Sequence, residues 1–179
     1  ALWNDDFHHA ARVAATGRAE AYYSDYRGSA QELLSALRHG FLFQGQYSAW
    51  QRQQRGSPAR GLPPHAFVHF LENHDQVANS LDGRRLHQLT APARMRALTA
   101  LLLLGPQIPL LFQGQEYASS HPFHYFADHP PELAAAVAAG RAQFVAQFPS
   151  IAAVHRDAPP PPPDDPALFA ASTLDHRER

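Results

Sequence analysis

Two short polar clusters carry residue types that could do chemistry, Asn73-His74-Asp75-Gln76 and Gln113-Gly114-Gln115-Glu116. Each follows a brief apolar run, AFVHFL at 66–71 and IPLLF at 108–112. Such runs read as buried strands. In parallel α/β folds, functional groups collect where strands end, because the following loops open there. The first cluster is the sharper of the two. A carboxylate beside an imidazole, fixed at the mouth of a rigid sheet, can hydrogen-bond adjacent hydroxyls and stabilise developing positive charge. Sugar hydrolysis needs that, since its transition state is oxocarbenium-like. The bland alternative is that Asp75 only caps the next helix.

The elements that must position these clusters follow from pattern and turn chemistry. Residues 1–27 mix aromatic, acidic and His residues and read as loop plus a short helix. A helix over 29–40 is better defined: Ser29 stands three residues before Glu32, the capping-box spacing. Leu33, Leu34 and Leu37 give it an apolar stripe, and Gly40 can supply a left-handed stop. The polar stretch from Tyr47 to Pro64 reads as a long loop, with a solvated Gln/Arg run at 51–55. A helix over 90–104 takes Thr90 as N-cap, Pro92 in its first turn and Gly105 as its end. Its second half is apolar almost all round, which predicts burial on several sides. Strand, polar loop, helix, strand and polar loop then form a βαβ unit with parallel strands. Residues 131–148 read as a further helix with Leu133, Val137, Phe144 and Phe148 on one side. The five prolines at 159–163 dictate an extended spacer.

Composition bounds the function. The 179 residues carry 15 Lys+Arg, all of them Arg, against 16 Asp+Glu. That balance lacks the electrostatic footprint of a nucleic-acid or membrane-surface binder. Apolar content of 45% and charged content of 17% suit a globular chain. With no Cys, thiolate chemistry and disulfides are excluded. Twelve His residues invite a metal hypothesis at His8, His9, His74, His121, His124 and His129, but no HExxH-type spacing occurs, so neither metal nor cofactor is expected. No apolar run approaches the roughly 18 residues of a membrane span, and no signal peptide is visible.

Several of these segments resemble the α-amylase superfamily. FVHFLENHDQ at 67–76 is similar to its strand-7 motif and IPLLFQGQEY at 108–117 to its strand 8. WNDDFHH at 3–9, FQGQYS at 43–48, NHDQVAN at 73–79, PLLFQGQE at 109–116 and PFHYFADH at 122–129 resemble its trehalohydrolase branch, and the likeness continues through 166–175. The chain departs from that pattern at Ala78, Asn79 and Ser80, where Gly-Asn-Arg is usual, and at Gln115, where a carboxylate is frequent.

The resemblance implies an α/β fold, the C-terminal portion of a (β/α)8 TIM barrel holding about strands 6–8 with their helices and incomplete on its own. It implies residues 1–157 as barrel, 158–166 as Pro-rich linker and 167–179 as the start of a connection to a C-terminal β domain. Asp75 would be the transition-state stabiliser and His74 a sugar ligand, with Asn73 and Gln76 in support. Asp5, Asp6, His8 and His9 would lie on the loop before the first helix, near the substrate. Glu116, Phe123, Phe126, Asp128 and His129 would shape the end of the cleft. The nucleophilic Asp and the acid/base Glu of a retaining mechanism would precede Ala1, leaving the chain inactive alone. The implied substrate is maltooligosyl trehalose or a related α-1,4-glucan, with a maltooligosyl trehalose synthase as functional companion in the cytoplasm. Two alternatives stay open: a glucan branching enzyme or transferase, which generally has Glu where Gln76 stands, and a non-catalytic carbohydrate-binding barrel fragment.

Overall fold

A computed structural model describes residues 1–155 and 160–179, with Leu81 through its backbone only. Residues 156–159, which include Pro159 and the expected barrel–linker boundary, lie outside the described residues. The chain divides into two compact units, 1–73 with 86–112, and 74–85 with 113–179.

The first unit is built on a parallel sheet of three strands, β1 (Leu2–Trp3), β4 (Phe67–Phe70) and β5 (Ile108–Leu110), in the order β1-β4-β5. Leu2 lies opposite Phe67, and Val68 opposite Ile108. The expected parallel pairing of the two apolar runs is therefore present. β4 is buried on both faces, whereas Ile108 and Pro109 in β5 are exposed, so the burial expected of the second run holds only for the first.

Helix α1 (Asp5–Thr16) follows β1 at once. Asn4 starts it: its side chain accepts from the Phe7 amide at 3.1 Å, satisfying a donor that has no partner within the helix. Asp5, Asp6, His8 and His9 therefore lie inside α1 rather than on a loop before it. With this cap at residue 4, the acidic pair falls in the first turn, where the helix dipole favours negative charge. Phe7, Ala10 and Ala11 are fully buried, and the Phe7 ring stacks on His69 of β4 at 4.3 Å between centroids. Burying Phe7 or Phe70 contributes roughly 1.5–3 kcal/mol each.

Helix α2 (Ala30–His39) has the capping box its sequence predicts, with Ser29 and Glu32 each bonded to the other's amide, and ends at Gly40. The expected loop 47–64 holds a small antiparallel ladder, β2 (Tyr47–Ser48) with β3 (Gln53–Gln54). Helix α4 (Pro92–Leu104) begins one position later than expected, with Ala91 at the cap and the Thr90 hydroxyl given instead to the Ala15 carbonyl at 2.7 Å. Gly105 ends it with extended backbone, at φ −70°. The predicted all-round burial of α4 does not occur. Leu98 and Leu102, four residues apart, are buried on one face, while Leu103 is half exposed and Leu104 is 85% exposed.

In the second unit, α3 (His74–Ala78) is a single short turn anchored by buried Val77 and Ala78. Helix α5 (Pro131–Val145) matches the expected segment, although Leu133 is exposed and only Val145 and Phe148 are buried near its end. Helices α6 (Pro149–Val154) and α7 (Pro166–Ala171) follow. Among the described residues, no helix is long and apolar enough to cross a membrane.

Candidate functional site

Within the first unit, two of the expected site residues, Asp6 and His8, are held by internal bonds, and a third, His9, is packed among aromatic rings. Asp6 is buried and accepts from the Tyr26 hydroxyl at 2.5 Å, the Leu42 amide at 2.7 Å and the Phe43 amide at 3.0 Å. Its other neighbour is the Arg55 guanidinium at 3.0 Å. Burial, then the adjacent Asp6 carboxylate, pushes the Tyr26 hydroxyl far above its ordinary range. Asp6 thus fixes the chain at 41–43 to α1. His8 is buried with Nδ1 2.8 Å from the Leu71 carbonyl and Nε2 3.3 Å from the Tyr23 hydroxyl. The carbonyl can only accept, so Nδ1 carries the proton and Nε2 accepts. His9 lies among the rings of Tyr22, Tyr23 and Tyr26, each 4.9–5.2 Å away between centroids. Burial first, and then the charges of His8, Arg55 and Arg12, keep it well below the usual imidazole range. Asp5 is exposed at the start of α1, and Asn73, at the end of the β4 segment, is buried.

Within the second unit, α3 carries His74 and Asp75 side by side, Nε2 to Oδ1 at 3.4 Å. Both side chains are open, 58% and 67% exposed. That is the carboxylate–imidazole pair expected from the sequence, available to solvent. The Asp75 carbonyl accepts from the Asn79 amide at 2.9 Å, closing the helical turn. Asp75 is thus the second residue of α3, not its cap.

Two further groups of the second unit come from the segment after β5. Gly114 sits at φ +81°, and a Cβ there would lie 2.9 Å from both Leu174 and Ser119, so this turn requires glycine. Glu116 is half exposed with Arg179 3.9 Å away. The rings of Phe123, Phe126 and Phe169 meet edge to face at 5.8 and 5.2 Å and line a cleft of about 350 Å³ with Gln113, Ser172 and His176. Asp128 and His129 follow on the same loop, both exposed to solvent. Among the described residues, no group of three or more His, Cys, Asp or Glu is placed to hold a metal ion.

Two positioning groups escape the sequence. Arg85 is fully buried, donating to the carbonyls of His121 and Gln113 at 2.7 Å each. Arg141 reaches from α5 to Asn79 and to the Ala78 carbonyl. Neither belongs to a periodic pattern that would mark it; both are set by tertiary contact.

Known proteins share much of this chain. No family model matches it. It is 45% identical over 142 residues to the malto-oligosyltrehalose trehalohydrolase of Deinococcus radiodurans, covering 78% of this chain and 24% of that protein. It is 38% identical over 179 residues to the enzyme of that name from Rhizobium sp. (strain M-11), covering 98% of this chain and 29% of that one. A crystal structure of a Salmonella typhimurium protein assigned as an alpha amylase superposes with a TM-score of 0.84 at 44% identity, over 98% of this chain and 29% of that one. The fold and these likenesses define the class: the chain belongs to the α-amylase family of glycoside hydrolases. Within it, the curated relatives are malto-oligosyltrehalose trehalohydrolases, and the chain spans about a quarter to three tenths of their length.

Proposed function

We propose that this chain forms part of a glycoside hydrolase that cleaves the α-1,4-glucosidic bond next to the terminal trehalosyl unit of maltooligosyl trehalose and releases trehalose. The observation that carries the reading is the open His74–Asp75 pair on α3, just beyond a fully buried parallel strand in the sequence. In this reading β1, β4 and β5 are strands 6, 7 and 8 of a (β/α)8 barrel, an order that their parallel pairing supports. Residues 158–166 are the linker and 167–179 lead toward a further β domain.

The roles follow from chemistry. As the glycosidic bond breaks, positive charge grows on the ring oxygen and anomeric carbon. An ionised Asp75 gripping the ring hydroxyls favours that charge and the distorted ring, while His74 donates to a neighbouring hydroxyl. Asn73 and Gln76 support the pair. Glu116, Phe123, Phe126, Asp128 and His129 shape the end that meets the trehalose terminus, where aromatic ring faces suit the apolar C–H faces of a sugar. Retention needs two carboxyls about 5–5.5 Å apart on either side of the bond. Those are an Asp nucleophile and a Glu acid/base from the rest of the protein, so the 179 residues alone are inactive. The substrate is made by a maltooligosyl trehalose synthase acting in the same cytoplasm. Gln76 favours this reading over a branching enzyme.

The test is trehalose release from maltooligosyl trehalose by the intact protein and its Asp75→Asn variant. The substitution keeps shape and removes charge, so kcat falls by at least about 10²–10³-fold, the scale of losing one preorganised electrostatic group. Turnover unchanged by the substitution would sink the reading.

A further inference from the structure

Helix α3 is too short to hold its own geometry. Five residues form little more than one turn, and isolated helices need roughly 12–15 to be even marginal in water. The two side chains of the proposed site stand at its start, open to solvent. Something else must therefore fix the direction in which Asp75 points.

Ser80 fixes part of it, its single hydroxyl proton shared between the Val77 carbonyl at 2.7 Å and the Arg84 carbonyl at 2.5 Å. The larger restraint comes from a distant helix. Arg141 of α5 donates one terminal nitrogen to the Asn79 side-chain oxygen and the other to the Ala78 carbonyl at 2.5 Å. Both acceptors lie at the C-terminal end of α3, where carbonyls lack helical partners and a cation is favoured by the dipole. The guanidinium also lies 5.0 Å from the centroid of Tyr125 and 5.8 Å from that of Phe144. Tyr125 belongs to the 122–129 loop. One planar cation therefore ties the turn bearing Asp75 to the loop bearing Phe123 and Phe126. Position 80, beside that turn, holds Ser and carries no cation itself.

We propose that Arg141 is a positioning residue for Asp75: it clamps the end of α3 and the 122–129 loop together and so sets where the carboxylate meets the sugar ring. This rests on the reading of Asp75 given above. Arg141 touches no reacting atom. Its effect passes through the backbone of 78–79, and a misplacement of about 1 Å at a catalytic group can lower a rate by 10²-fold.

The experiment uses the intact protein with maltooligosyl trehalose as substrate. Arg141→Ala is expected to lower kcat by about 10–100-fold with KM and melting temperature little changed. Arg141→Lys should recover only part, because an ammonium cannot serve two acceptors in one plane while stacking on Tyr125. In an Asp75→Asn background, Arg141→Ala should cause no further loss. A kcat within twofold of the parent in Arg141→Ala, full recovery by Lys, or an equal further loss in the Asp75→Asn background each overturns the proposal. If Arg141→Ala does not fold, Arg141→Lys in the two backgrounds decides by the same criteria. Asp75→Asn alone separates the two ideas: unchanged turnover there defeats the reading of the site, whereas a large loss there with none at Arg141 defeats only the clamp.

Discussion

The side-chain amide of Asn4 donates to Nε2 of His69 at 2.9 Å, and the same residue caps α1 through its oxygen. One side chain thus joins the start of the first helix to the middle of the central strand. The bond requires an unprotonated Nε2, and the surroundings agree, since burial pushes the His69 imidazole down to about 4. His9, buried among tyrosines, is pushed in the same direction.

Stability should therefore fall with acid. A histidine whose folded-state value lies below the unfolded 6.5 binds its proton more readily when the chain unfolds. Its contribution is complete above about pH 6.5 and is lost as pH drops toward about 4. At 1.36 kcal/mol per pH unit, His69 alone removes on the order of 3 kcal/mol across that window. Denaturant midpoints of the protein between pH 7 and 4 would check this, with His69→Gln expected to flatten the profile and leave the part due to His9. An equally steep decline in that variant would rule His69 out as the main source.

Asp6 offers a second test, because its sequence context suggests a sugar ligand while its bonds are internal. Its carboxylate serves Tyr26, Arg55 and the amides of Leu42 and Phe43. Asp6→Asn retains one acceptor and removes the charge opposite a guanidinium that is itself about a quarter exposed. The expected result is a loss of about 1–3 kcal/mol, below the 3–5 seen when a fully buried pair is broken, with the intact protein's KM for maltooligosyl trehalose, its proposed substrate, changed less than twofold. A large rise in KM at unchanged stability would return Asp6 to the substrate.

Local features of the fold were legible wherever short-range chemistry decides them. The Ser29–Glu32 box fixed the start of α2, and the apolar runs marked β4 and β5 and their parallel pairing. β1 was not legible, since two residues carry no alternation, and its pairing with Phe67 and Val68 spans more than sixty positions. The α4 leucines misled for a related reason: four in a row give no face, and only contacts with other elements decide that Leu98 and Leu102 are inside. At the candidate site, His74 and Asp75 stood out because their chemistry is local to one turn. Arg141, a lone cation in an Ala-rich helix, bonds a partner 62 residues away, and no spacing rule reaches that far.

Gly40 links a legible residue to a contact only the fold reveals. It ends α2 at φ +80° and ψ −114°, outside the conformations L-residues adopt comfortably. A Cβ built there would lie 2.5 Å from the ring of Phe67, the first residue of β4 and itself buried. That ring also meets Phe41 edge to face, 5.5 Å between centroids, and must shift to admit the added methyl. Gly40→Ala therefore combines backbone strain of order 1–3 kcal/mol with overpacking of similar size. The expected loss is on the order of 3 kcal/mol in denaturant unfolding. Pairing it with Phe67→Leu, which shortens the obstructing ring, should recover the overpacking part and leave the backbone part. If Gly40→Ala is neutral, or if the second substitution recovers nothing, the packing of α2's end against β4 is not what holds this corner in place.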